Sequence, residues 1–112
     1  MQDIVFRYLR NKSGVEYLDF GTGFLTYKIE ATDYNNRLCL CIYDAYSETS
    51  EEMVPRTVQI LCDIYKPYGI QYVEGYVDVK GKHKGRIKKM MNKFGMRKYK
   101  ETDDFIYMIK RI

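Results

Sequence analysis

The clearest pattern along the chain falls in its last third. Ile87, Met90, Met91 and Phe94 stand at i, i+3, i+4 and i+7, the spacing that lines one face of an α-helix. Lys88, Lys89, Asn92 and Lys93 fill the other face. Gly95 follows, where a left-handed cap ends a helix, so the pattern predicts a helix over 85–94. Burying each of the four apolar side chains is worth roughly 1.5–3 kcal/mol, which marks the stripe as core rather than as a cofactor box. An extended run, 71–79, precedes this helix. After it, 97–100 and 105–109 pair across an acid-rich turn, Glu101 to Asp104.

The first two thirds alternate more tightly. Residues 4–9 and 15–20 are β-rich and apolar and predict two strands, with a turn at 11–14 where Asn11 and Gly14 tolerate left-handed backbone angles. A tight connection at 21–23 leads to a third strand, 24–30, and a turn at 33–36. Residues 37–43 are nearly all apolar and predict a central strand covered on both faces. The polar stretch 44–50 follows. Thr49 and Glu52, three apart, have the chemistry of a helix start, and Pro55 is tolerated only in a first turn. The spacing predicts a helix from near Val54 to Tyr65, with Val58, Leu61, Cys62 and Tyr65 on one face. Residues 66–69 end it, and a strand begins at Ile70. The element string implies an α+β domain spanning 1–112: a mixed, mostly antiparallel sheet with two helices and one parallel step through the 54–65 helix.

A chain of 112 residues that is 46% hydrophobic suits one modest core. No apolar run is long enough to span a bilayer. Asp3 stands where a signal peptide needs basic residues, so the expected setting is intracellular, without a membrane partner. Cys39 and Cys41 lie two apart on one strand face and Cys62 lies on a helical stripe, so all three are expected to be reduced, buried thiols. A zinc site completed by His83 is disfavoured, because this spacing is not that of structural zinc; no metal is expected. The net charge of +4 hides an asymmetry. Ten basic residues and no acid fall between Lys80 and Lys100, leaving nine basic residues against all fifteen acids elsewhere. The molecule is therefore electrically polarised. Lys80, Lys82, Lys84, Arg86, Lys88, Lys89 and Lys93 form a candidate partner patch, for an acidic protein surface or, non-specifically, for nucleic acid. The acidic hairpin turn could meet this patch on a neighbouring copy. Twelve tyrosines and no tryptophan suit sheet faces and contacts.

From Phe24 onward the chain resembles the GNAT-type acyltransferases, and in particular the small GNAT-like proteins of tailed phages. The resemblance rests on the strand ending Gly75-Tyr-Val-Asp-Val79, the helix Arg86 to Phe94, the Gly95-Met96 pair in place of the usual Gly-Phe, and the closing strand Phe105 to Lys110. It implies a GNAT-like fold lacking the family's first helical pair, for which there is no room between Arg10 and Val15. It also implies that the 54–65 helix stands where family enzymes hold the cofactor's diphosphate.

Three departures from the family's pattern bear on activity. Family enzymes carry a glycine-rich loop whose backbone N–H groups close on the diphosphate; residues 50–56 hold no glycine, and Glu51, Glu52 and Pro55 oppose an anion there. The family's thiolate-protonating tyrosine falls at Met91. The family's asparagine has no counterpart in 80–86. These departures imply a scaffold that no longer transfers acyl groups and needs no cofactor, retained as a virion-associated or host-directed structural or interaction protein. The rival expectation is a working acyl-CoA-dependent N-acetyltransferase using acetyl-CoA. Its candidate acids and bases are Tyr46, Glu52, Glu74 and Asp78, and its candidate cofactor contacts are Tyr43, Arg56 and Arg86.

Overall fold

The computed structural model describes residues 7–10, 15–48 and 52–112. Its strands are β1 (Arg7–Arg10), β2 (Glu16–Asp19), β3 (Gly23–Ala31), β4 (Leu38–Ser47), β5 (Tyr72–Asp78), β6 (Arg97–Glu101) and β7 (Phe105–Arg111). Helix α1 (Met53–Tyr65) links β4 to β5, and α2 (Lys84–Phe94) links β5 to β6. The strands form one sheet in the order β1-β2-β3-β4-β5-β7-β6. Every neighbouring pair is antiparallel except β4 with β5, and α1 supplies the long crossover that this parallel pair needs.

Strand alternation sorts the side chains to two faces. On one, Leu25, Tyr27, Leu40 and Val73 meet Val58, Leu61 and Cys62 of α1, with Met90 and Phe94 of α2 packed at the edge. A smaller cluster of Val77, Met96 and Met108 continues this layer beneath α2. On the other face Cys39, Cys41, Tyr72 and Ile109 are buried under Tyr43 and Tyr99; no helical residue contributes to that cluster. All three cysteines are buried and free. Burial pushes the Cys62 thiol up to about 11, and contact with the Cys41 thiol, with burial adding, raises Cys39.

Three expectations are corrected. The strand expected over 37–43 runs to Ser47. It continues because β3 keeps pairing with it past a bulge, and the Thr26 hydroxyl accepts the Asp44 N–H at 3.0 Å. Past Tyr43 it is no longer covered on both faces, and Asp44 to Tyr46 are exposed. Helix α1 begins at Met53 with Glu52 at its cap position, making no side-chain cap bond. The other half of the expected helix start, Thr49, lies outside the described residues, as do residues 4–6 of the first expected strand and the turn at 11–14. The third correction concerns α2. None of its residues is buried; Ile87 is 36% exposed, and Met90, Met91 and Phe94 are half-buried. The stripe faces partly into a cleft rather than wholly onto the sheet.

The stop after α2 is as expected. Gly95 adopts φ +99°, and the N–H groups of Gly95 and Met96 donate to the carbonyls of Asn92 and Met91, the bonding of a left-handed helix end. Lys110 adds a cation at the helix's negative end, donating to the Phe94 carbonyl at 3.1 Å.

Candidate functional site

The site follows from how briefly β4 and β5 stay together. They pair over three positions only, Cys39 with Tyr72, Leu40 with Val73 and Cys41 with Glu74. Beyond these, β4 follows β3 to Ser47 and β5 follows β7 to Asp78. The strands part, and a cleft of about 670 Å³ opens between them, within the size range of small-molecule sites. Residues 42–47 of β4 and 73–76 of β5 form its floor, Val54, Pro55 and Val58 of α1 one wall, and the α2 stripe the other. Gly75 lets that wall come close: a Cβ there would lie 3.0 Å from the Met91 methyl. Where the strands part, β4 carries its bulge. Thr26 pairs with Asp44 and Tyr27 with Ile42, so Tyr43 is the extra residue, and a bulge takes its residue's backbone groups out of the ladder.

A second cavity of about 280 Å³ includes Glu30, Asp33, Cys41, Glu74, Tyr76 and Tyr107 in its lining, residues of the tyrosine-covered face. Both cavities share Ile42, Tyr43, Glu74, Tyr76 and Phe105, so they meet where the sheet divides. Glu74 stands at that junction, half-buried. Its Oε1 accepts hydrogen bonds from the Thr32 hydroxyl at 2.6 Å and the Tyr99 hydroxyl at 2.8 Å. The Tyr43 hydroxyl donates to Glu30 Oε1. Burial first, and the neighbouring carboxylate second, raise the ionisation of Tyr43 and Tyr99 above the usual phenol range. Burial pushes Tyr76 up to about 12. All three phenols are therefore protonated donors near neutral pH.

The sequence candidates divide between the cleft and its surroundings. Tyr43, Tyr46, Glu74, Asp78 and Arg86 all line the larger cleft. Tyr46 sits at its mouth, 51% exposed, its ring 6.0 Å from that of Phe24. Asp78 closes β5, its carboxylate accepting the Lys80 N–H at 2.9 Å. Glu52 and Arg56 are exposed at the start of α1 and outside the cleft lining. His83 occupies the N-cap position of α2 without a side-chain cap bond and is exposed in the cleft lining. Lys80, Lys82, Lys84, Arg86, Lys88, Lys89 and Lys93 are all exposed, and Lys80 pairs with Asp104 of the acidic turn at 3.3 Å. Among the described residues no cluster of potential ligands could hold a metal ion, and no helix is long and apolar enough to cross a membrane.

Sequence reasoning missed Glu30, Thr32, Tyr76 and Tyr99. Alternation in 72–77 already places Glu74 and Tyr76 on one face. What brings Glu30 to them is the register of β3 on β4, Glu30 opposite Cys39, which no local pattern encodes.

No family model matches the chain, and no curated sequence matches it. Solved structures do. A GNAT-family acetyltransferase from Listeria monocytogenes superposes with a TM-score of 0.66 at 6% identity, over 88% of this chain and 64% of that one. The NatC complex bound to Gag peptide and CoA matches with a TM-score of 0.66 at 14% identity, over 84% of this chain and 63% of that one. The N-acetyltransferase PseH from Campylobacter jejuni matches at 0.60 and 15% identity, over 89% of this chain and 70% of that one. The fold is thus the acyl-CoA N-acyltransferase fold seen in GNAT acetyltransferases. The chain spans less than two thirds of the length of the first two of these structures.

Proposed function

We propose that this chain binds an acyl-CoA in the cleft between β4 and β5 and passes the acyl group to an amine lodged on the tyrosine-covered face. The observation that carries this reading is the junction at Glu74, where the larger cleft and the smaller, tyrosine-lined cavity share lining residues. The residues present fit the slender arm of an acyl-CoA: the cleft is open, its walls are largely apolar, and the Tyr43 bulge offers backbone groups at its floor. Bound there, an acyl-CoA supplies an acyl group activated as a thioester. Arg86 and the exposed lysines of α2 supply positive charge on the side where phosphates would lie. Glu74 is the group placed to take a proton from the incoming amine, and the phenols of Tyr43 and Tyr76 are the donors beside it.

The start of α1 favours a second reading, in which the fold no longer transfers acyl groups and serves as an interaction or structural protein; the virion-associated or host-directed setting is part of that proposal and rests on the sequence resemblance alone. Pro55 removes one of the first-turn N–H donors that would face a diphosphate. Glu52 places a carboxylate at the same end, and Met91, in the cleft wall, cannot protonate a departing thiolate. Thiol release from acetyl-CoA, followed with a panel of primary amines, separates the two. The acyltransferase reading expects turnover that falls by about 10²-fold or more in Glu74→Gln; no turnover with any amine supports the second reading.

A further inference from the structure

We propose that the smaller cavity selects its occupant by charge: it is a cage for an alkylammonium, with the Glu74 carboxylate as counter-ion and tyrosine rings as walls. This inference rests on the acyltransferase reading and names the class of acceptor that reading requires. It is drawn from three features of the cavity.

The first is an unbalanced carboxylate. Glu74 is half-buried at the inner end, and both of its assigned partners are neutral hydroxyls, of Thr32 and Tyr99. Among the described residues no lysine or arginine forms an ion pair with it, whereas Glu30 has Lys28 at 3.6 Å and Asp33 has Lys100 at 3.5 Å. Two hydroxyl donors hold the negative charge in place without neutralising it, and a partly desolvated carboxylate attracts a cation more strongly than an exposed one does.

The second is the wall. The Tyr76 ring meets those of Tyr43 at 5.9 Å and Phe105 at 5.3 Å, both edge-on, and that of Tyr107 at 6.0 Å. Aromatic rings carry negative charge on their faces, and these line the cavity beside the carboxylate, an environment that favours a cation with an apolar stem over a neutral or anionic group.

The third is that a cation already sits at the rim. The Lys100 ammonium lies 4.7 Å from the centroid of the Tyr107 ring while pairing with Asp33, and both of those residues line the cavity. The chain's own lysine thus makes, at the mouth, the contacts a ligand ammonium would make further in. Arg97 over Tyr34 and Arg111 over Tyr72 repeat the contact elsewhere on the same face.

The test is an NMR titration of the full chain with n-butylammonium, n-butanol and butyrate, at constant ionic strength and without any CoA. The account expects saturable shifts of tyrosine ring resonances with the ammonium alone, weakened about tenfold in Glu74→Gln, the scale of one charge-assisted bond. Equal binding of the alcohol, or an ammonium affinity unchanged in Glu74→Gln, overturns it. If Glu74→Gln does not fold, Lys100→Ala carries the test. Removing the competing cation should tighten ammonium binding by about threefold, the scale of one exposed ion pair, and an unchanged or weaker affinity overturns the inference. A parallel titration with acetyl-CoA keeps the two proposals apart. Acetyl-CoA bound and ammonium not bound removes the cage and leaves the acyltransferase; the reverse leaves a cation site and removes the acyltransferase.

Discussion

The two faces of the sheet are closed by different means. On one, α1 and α2 lie across aliphatic side chains, and Leu18, Leu25, Leu40, Leu61 and Val73 are fully buried. On the other no helical side chain enters the cluster, and half-buried tyrosines shield Cys39, Cys41 and Ile109 instead, tied down by hydroxyl-to-carboxylate bonds. Tyrosine suits this task because its ring covers apolar neighbours while its hydroxyl stays satisfied. The difference assigns the labour. The helix face supplies most of the stability, and the tyrosine face exposes groups with chemistry. The parting of β4 from β5 is where the two come into contact.

That division predicts unequal costs. Leu61→Ala, which empties a fully buried position on the sheet-facing side of α1, should lower unfolding free energy by about 2–5 kcal/mol in a denaturant titration. On the opposite face Tyr99→Phe keeps the ring and removes one donor to Glu74, at a cost of about 1 kcal/mol. A loss from Tyr99→Phe as large as that from Leu61→Ala would break the comparison. Gly95→Ala belongs to the helix side, yet acts through the backbone: at φ +99° it should cost about 1 kcal/mol, measured in the same way.

High pH should sharpen the contrast. Tyr43, Tyr76 and Tyr99 ionise above the ordinary phenol range when folded. A folded value raised above the unfolded one means that the neutral phenol is favoured in the native state. The stability this contributes is complete below the unfolded phenol value of about 10, and for Tyr76 it is lost as pH rises to about 12. An absorbance titration of phenolate should therefore show a late-ionising group of tyrosines, and stability measured across the same range should decline in step.

The fold was largely legible because its signals are local. The i, i+3, i+4, i+7 stripe of α2 and its Gly95 stop, the apolar run of β4 and the short turns before β5 and β7 each need only a few neighbouring residues. The site was legible in part. Glu74, Tyr43, Tyr46, Asp78 and Arg86 were candidates, and they line one cleft; Glu52 and Arg56, candidates by proximity to α1, stand outside its lining. The depth of that cleft was not legible. Four apolar residues at helical spacing look the same whether they cover a continuous sheet or a gap between parting strands. Only the pairing of β4 with β5, three positions and no more, decides between these cases. The meeting of Glu30, Glu74 and the tyrosines depends likewise on the register across β3, β4 and β5.

The most direct measurement is a calorimetric titration of the purified chain with acetyl-CoA, beside an Ala45→Trp variant that fills the cleft from β4. The account predicts saturable binding at one molecule per chain with micromolar affinity, lost in the variant. Heats no larger than those of dilution, or binding undiminished with the cleft filled, would contradict it.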